Sequence, residues 1–260
     1  MHSLWQSGVL DPQGPVGAAQ KLILLDATAI MLAIVVPVIL MTLGIAWWFR
    51  SGNTRARYWP DWEYSGPVEL VVWSIPALVV MFLGGIAWIS SHDLDPPRPL
   101  PGGKPVEIQV VALDWKWLFI YPDHGVASVN RVVVPAGVPL RFTITSASVM
   151  NSFFVPQLGS QIYAMGGMTT QVNLKADRPG TFPGLSAQFS GDGFSDMRFP
   201  LVAMPQAEFD DWVTKTKGAG GNLDAAGYSK LSRPGTIAEP ITFGTITPNV
   251  FDSIIRNTVK

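Results

Sequence analysis

The stretch SAQFSGDGFSDM, residues 186–197, raises the question of whether it does chemistry or only keeps the outline of a site. It places hydroxyl, amide, hydroxyl and phenyl side chains at positions 186, 188, 190 and 194, followed by a methionine at 197. Copper bound beside a thioether needs thiolate and imidazole ligands, and the stretch contains neither. The printed chain of 260 residues has no cysteine at all, which excludes disulfides, thiolate metal sites and iron–sulfur ligation. We therefore ask whether this is a metal site that has lost its ligands.

Other residues that could do chemistry are few. The histidines are His2, His92 and His124, none of them in the interior of an apolar segment, and we expect solvated surface side chains rather than metal ligands. Trp115 and Trp117 fall on one side of a predicted strand, with Lys116 opposite, and we expect them to pack. The sequence has no Ser/His/Asp constellation, phosphate-binding glycine loop or metalloprotease motif, so it does not predict an independent hydrolase or nucleotide enzyme.

Glu69 lies at the edge of an apolar segment that follows it in the sequence. A carboxylate at a membrane boundary is costly and often marks a proton path. An acid in the first turn of a helix is also stabilised by the helix dipole. The position of Glu69 alone leaves both interpretations open.

Two long apolar segments of the chain are predicted to cross a membrane as helices. Asp26 and Arg50 enclose 23 residues without a charge, and Glu69 and His92 enclose 22. About 20 apolar residues suffice for a helix to cross a bilayer. The loop between the segments carries Arg50, Arg55 and Arg57, so the positive-inside rule places it in the cytoplasm and both termini outside.

The rest of the chain is predicted to form an exported β domain. A proline-rich linker follows His92, and then β-branched residues alternate between prolines and glycines, which predicts a Greek-key β-sandwich. Two amphipathic helices are predicted near residues 205–218 and 246–260, with GAGGN at 218–222 as a flexible joint between them. The 18 basic and 19 acidic residues form no basic patch, so we expect no nucleic-acid partner.

The stretch at 186–197 resembles subunit II of the haem–copper respiratory oxidases. In the branch that accepts electrons from cytochrome c, an exported cupredoxin domain binds two copper ions through an upstream His and the motif Cys-x-Glu-x-Cys-x3-His-x2-Met. The matching residues, which we name the copper-ligand positions, are Asn151, Ser186, Gln188, Ser190, Phe194 and Met197. Only Met197 keeps its ligand type, so the resemblance implies a cupredoxin domain without copper.

The resemblance extends over nearly the whole chain and is to the cytochrome bo-type ubiquinol oxidases. It is carried by ALDWKWLFIYP, MNSFFVPQLGSQIYAMGGM, LKADRPG, VELVVWSIPA and HDLDPPRPLP. It implies a subunit of a quinol:oxygen oxidoreductase that pumps protons, with the haems and one copper in subunit I and no cofactor in this chain. Glu69 would correspond to an acid near a proton entrance. Subunits I, III and IV, membrane lipid and, through the complex, ubiquinol would be its partners, in a bacterial inner membrane.

The expected fold is a two-helix transmembrane hairpin followed by a cupredoxin-like Greek-key sandwich with C-terminal helices. The chain itself would be non-catalytic and would support subunit I. Two alternatives are a copper-binding subunit II of a cytochrome c oxidase and a membrane-tethered binding module without an oxidase partner. The predicted boundaries are an exported tail at 1–26, membrane helices at 27–49 and 69–91, a cytoplasmic loop at 50–68, a linker at 92–105, the cupredoxin-like domain at 106–204 and a helical extension at 205–260.

Overall fold

The computed structural model of the chain describes residues 8–57 and 59–256. These residues divide into two compact units. We call Leu22–Leu94 the helical unit, and the remainder, which includes the described residues up to Lys21 and those from Asp95 onward, the β unit.

Two long helices account for most of the helical unit. They are α1 (Pro15–Trp48), whose first turns belong to the β unit, and α2 (Gly66–Asp93). The most apolar 18-residue window of each helix has none of its residues buried. A helix that is apolar all round needs an apolar surrounding, either a protein core or a lipid bilayer. Both helices are long and apolar enough to cross a membrane.

The segment predicted as an N-terminal tail is in part packed onto the β unit. The backbone N–H of Gln13 donates to the carbonyl of Gln157 at 2.7 Å, and that of Gly17 donates to the carbonyl of Leu158 at 3.0 Å. Gly14 lies so close to the sandwich that a Cβ there would be 2.0 Å from the carbonyl oxygen of Lys175. Helix α1 therefore begins at Pro15, well before residue 27, in contact with this unit.

The β unit is a two-sheet sandwich with three short helices. Its strands are β1 (Val106–Leu113), β2 (Lys116–Tyr121), β3 (Val126–Val129), β4 (Val132–Pro135), β5 (Leu140–Ser146), β6 (Asn151–Phe154), β7 (Ile162–Ala164), β8 (Thr170–Leu174), β9 (Gly180–Ser186), β10 (Arg198–Met204), β11 (Gly221–Leu223) and β12 (Ile241–Ile246). Its remaining helices are α3 (Gln206–Ala219), α4 (Ala225–Leu231) and α5 (Val250–Ile255).

The sheet order shows that the chain passes back and forth between the two layers. One sheet has the order β11-β12-β3-β2-β1-β5-β8 and the other β4-β10-β9-β6-β7. Parallel pairs join β1 to β5 and β4 to β10, while the other pairs of neighbouring strands within β1–β10 are antiparallel. Parallel neighbours need crossover connections, as in the predicted Greek-key sandwich.

Strand β2 is buried on both faces, which its sequence KWLFIY explains. Trp117, Phe119 and Tyr121 enter the aromatic core between the sheets. Leu118 and Ile120 point to a second cluster, which contains buried residues of α4 and α5. Helices α4 and α5 therefore cover the outer face of the larger sheet.

The C-terminal extension at 205–260, predicted as helical, also contains two strands. Strands β11 and β12 pair in parallel, and β12 continues the larger sheet by pairing with β3. The prediction of a flexible joint at 218–222 is wrong, because Gly221 starts β11. The backbones approach so closely here that a Cβ on Gly220 would lie 2.2 Å from the amide nitrogen of Gly244.

Candidate functional site

The copper-ligand positions come together at one end of the smaller sheet. Asn151 begins β6, Ser186 ends β9, and the loop 187–197 connects β9 to β10 through a 3-10 turn at Phe194–Asp196. The backbone N–H of Ser186 donates to the carbonyl of Met197 at 2.9 Å, which closes the loop. A peptide hydrogen bond therefore holds the two ends of this loop together.

A hydrogen bond joins Asn151 and Ser186. The hydroxyl Oγ of Ser186 donates to Oδ1 of Asn151 at 3.1 Å, and Nδ2 of Asn151 donates to the carbonyl of Val149 at 3.1 Å. Both side chains are buried, with 1% of Asn151 and 3% of Ser186 exposed. Buried polar groups need such partners, so these two hydrogen bonds stabilise the buried Asn151 and Ser186 side chains.

Ser190 and Met197 form the second pair. The hydroxyl Oγ of Ser190 lies 3.2 Å from the thioether Sδ of Met197, where it can donate a weak hydrogen bond. Met197 is buried in the core between the sheets. The carbonyl of Ser190 also accepts a hydrogen bond from Nε1 of Trp115 at 3.1 Å. The only ligand type retained at the copper-ligand positions is therefore engaged in packing.

Gln188 and Phe194 lie at the rim of the same loop. Gln188 is half-buried, and its backbone carbonyl lies 3.3 Å from the hydroxyl of Ser186. The Phe194 ring packs edge-on against the exposed ring of Phe189, with centroids 5.6 Å apart. Phe194 is half-buried rather than enclosed, because the 3-10 turn carries it to the surface.

The donor set at these positions does not fit copper. It consists of two hydroxyls, two amides, a phenyl ring and a thioether, without thiolate or imidazole. Two of the donors already bind each other through the Asn151–Ser186 hydrogen bond. Residues 8–57 and 59–256 also contain no cluster of three or more histidine, aspartate and glutamate side chains that could hold a metal. No electron transfer step can be assigned to this loop.

Trp115 and Trp117 are packing residues, as expected, but Trp115 is not on the strand. It lies in the turn between β1 and β2 at φ 65°, a left-handed conformation that is uncommon for a bulky residue. Its ring covers Gly193, where a Cβ would lie 2.4 Å from Cγ of Trp115. Trp117 is fully buried, with its ring edge-on to Phe153 and Phe199 at 5.8 and 5.7 Å. The close contact with Gly193 is not visible in the sequence.

The remaining candidate residues are dispersed. Glu69 is exposed in the first turn of α2, three residues after the helix begins at Gly66. The His92 ring contacts the Trp88 ring near the end of α2, with ring centroids 4.6 Å apart and the planes tilted by 42°. His124 is half-buried and edge-on to Phe209 at 5.3 Å. His2 lies outside the described residues.

Comparisons with known proteins agree with the features above. The family described as "Cytochrome C oxidase subunit II, periplasmic domain" matches residues 122–204. A cytochrome bo(3) ubiquinol oxidase subunit 2 from Pseudomonas aeruginosa is 48% identical over 248 residues, which cover 95% of this chain and 75% of that protein. A ubiquinol oxidase subunit 2 from Acetobacter aceti is 47% identical over 251 residues, covering 95% and 81% of the two chains.

More distant relatives have the same kind of name. A quinol oxidase subunit 2 from Bacillus cereus is 33% identical over 239 residues, covering 91% of this chain and 82% of that protein. Among solved structures, the periplasmic domain of subunit II of cytochrome oxidase from Bradyrhizobium japonicum is 26% identical, with a TM-score of 0.42, and covers 45% of this chain and 96% of that domain.

The matches to the three named subunits span 91–95% of the chain, so they include both the helices and the sandwich. The resemblance that the stretch at 186–197 indicates is therefore confirmed. The chain belongs to the ubiquinol oxidase subunit 2 family.

Proposed function

We propose that this chain, a subunit II of a quinol oxidase, acts as a copper-free scaffold and exported cap on the haem-bearing subunit I. The observation that carries this proposal is the loop at 186–197, where hydrogen bonds join the copper-ligand positions and the side chains present cannot bind copper. The chain is an inner-membrane protein and forms a complex with subunit I. We extend the complex to subunits III and IV by the resemblance.

Electrons then enter the complex without passing through the exported domain. A cytochrome c oxidase would need a relay in this domain, and the donor set here cannot supply one. Ubiquinol would instead deliver electrons within the membrane to haems of subunit I, which would also hold one copper. In this scheme oxygen reduction and proton pumping belong to the complex, and this chain contributes structure, assembly and a proton entrance at Glu69.

Purification of the complex through a tag on this chain tests the proposal. We expect haem to copurify, ubiquinol-dependent oxygen uptake, and copper no higher than the one atom expected in subunit I. Additional copper with reduced cytochrome c as the electron donor would support the first alternative, a cytochrome c oxidase. A tagged chain that purifies without haem, and whose deletion leaves quinol-dependent oxygen uptake unchanged, would support the second, a binding module without an oxidase partner.

The proposed membrane topology has α1 and α2 crossing the membrane, with the β unit on the periplasmic side. The connecting loop carries Arg50, Arg55 and Arg57, which favour a cytoplasmic position. Since the printed sequence has no cysteine, Ser51→Cys in the loop and Thr214→Cys on the exposed side of α3 provide single reporters. A membrane-impermeant thiol reagent added to intact spheroplasts should label Thr214→Cys and not Ser51→Cys. The reverse pattern would invert the topology.

A further inference from the structure

The loop between α1 and α2 folds into a cavity of about 690 Å³. Its lining consists of aromatic and arginine side chains from the end of α1 and the first part of the loop: Trp48, Phe49, Arg55, Arg57, Trp59 and Trp62. All of these residues belong to the helical unit. The aromatic rings at a helix end resemble the aromatic belts found at membrane–water interfaces.

The cavity is positively charged. Arg55 and Arg57 line it, whereas Asp61 and Glu63, the acidic residues of the same loop, do not. The guanidinium of Arg57 lies over the Trp59 ring at 4.8 Å from the ring centroid, in a cation–π contact. The planar guanidinium remains suited to bind two oxygens of an anion such as a phosphate.

Asn53 ties the loop to the end of helix α1. Its Nδ2 donates to the carbonyl of Trp48 at 2.5 Å, and its Oδ1 accepts from the backbone N–H of Arg55 at 3.1 Å. The position of Arg55 is thus fixed relative to the last turn of a helix that is apolar enough to span a membrane. The cavity therefore combines a held cation with apolar rings at the end of this helix.

These properties identify the occupant by its chemistry. Arginine groups recognise a phosphate, and tryptophan rings pack against the glycerol and upper acyl region of a lipid. A zwitterionic lipid would offer its phosphate together with a cation, which the two arginines would repel. We propose that the cavity binds the headgroup of an anionic phospholipid, such as phosphatidylglycerol. This proposal rests on the proposed membrane crossing of α1 and α2.

Native mass spectrometry of the purified, delipidated complex tests this proposal. The complex is titrated separately with phosphatidylglycerol, phosphatidylcholine and inorganic phosphate. The double variant Arg55→Gln/Arg57→Gln should bind phosphatidylglycerol more weakly, by about 5-fold for each arginine removed, since a basic residue near an anionic lipid surface contributes about 1 kcal/mol. Arg55→Lys/Arg57→Lys keeps the charge and should lose less.

The matched control is Arg131→Gln/Arg233→Gln, which removes the same charge from exposed positions of the β unit and should bind phosphatidylglycerol like the unmodified complex. Equal binding of phosphatidylglycerol by the loop variant and this control would overturn the proposal. The proposal would also be overturned if the unmodified complex bound phosphatidylcholine as tightly as phosphatidylglycerol, or bound inorganic phosphate and neither lipid. Haem content and ubiquinol oxidase activity measured on the same samples report on the proposed function separately.

Discussion

At the scale of single residues, Glu69 separates a proton role from a structural one. Its carboxylate is exposed in the first turn of α2, so the helix dipole alone could account for an acid at this position. A proton entrance instead needs a group that ionises reversibly and connects to subunit I. The two roles predict different effects on catalysis when the carboxylate is removed.

We expect Glu69→Ala to slow ubiquinol oxidase turnover several-fold while haem content and subunit composition stay normal. Removal of a titratable group at a proton entrance limits proton uptake, but it removes no packing from an exposed site. Steady-state oxygen uptake and the haem spectrum of the tagged complex provide the measurement. Glu63→Gln, an exposed acid of the preceding loop, is the control and should be neutral. Normal turnover of Glu69→Ala would show that Glu69 has no proton role and is only an acid in the first turn of a helix.

Ser186 allows the copper-ligand positions to be tested as structure. We expect Ser186→Ala to lower the free energy of unfolding by about 1–3 kcal/mol, because Oδ1 of buried Asn151 loses its donor. The exposed Ser195→Ala in the same loop should change stability by less than about 0.5 kcal/mol. Denaturant unfolding of the full chain in detergent measures both. Equal stability of the two variants would mean that the Asn151–Ser186 pair contributes nothing to the loop.

At the scale of elements, Lys116 connects strand β2 to the C-terminal extension. Its ammonium donates to the carbonyls of Leu231 and Arg233, at 3.0 and 2.6 Å, just at and beyond the end of α4. A cation is well placed at the C-terminal end of a helix. Burial lowers the pKa of Lys116 from its ordinary value of 10.5, and the nearby carboxylate of Asp114 opposes that shift.

We expect Lys116→Met to destabilise the β unit by about 1–3 kcal/mol, because two carbonyls lose their donor while the apolar stem is kept. Hydrogen exchange of residues 225–240 should also accelerate. Between the lowered pKa and 10.5 the unfolded chain binds more protons than the folded one, so this lysine makes stability rise with pH. The variant should lose that rise. The exposed Lys104→Met is the control, and an equal effect there would contradict the role of Lys116.

The sequence predicts those elements whose signals are local. Alternation of β-branched residues between prolines and glycines marks strands within residues 106–121 and 129–146 and the strand at Arg198–Met204. It does not indicate that Gly220 and Gly244 pack backbone to backbone, because that contact depends on residues 24 positions apart. For the same reason the copper-ligand positions could be named from the resemblance to the copper motif, but the hydrogen bond from Ser186 to Asn151 could not be predicted.

At the scale of the whole molecule, the predicted boundary at 204 divides a continuous structure. Strand β12 pairs with β3, and residues of α4 and α5 complete a buried cluster with Val111, Leu118 and Ile120 of the larger sheet. The sandwich and the extension therefore form one compact unit.

Truncation after Met204 should abolish assembly of the oxidase, because the extension that it removes is part of the folded β unit. It would expose the apolar outer face of β1 and β2, and a large exposed apolar patch leads to aggregation. We expect the truncated chain to be lost from the membrane fraction, together with haem and ubiquinol oxidase activity in the tagged preparation. Truncation after Arg256, which keeps every described element, is the control. An active, haem-containing complex from the chain ending at Met204 would show that the sandwich is independent of its extension, and would restore residue 204 as a domain boundary.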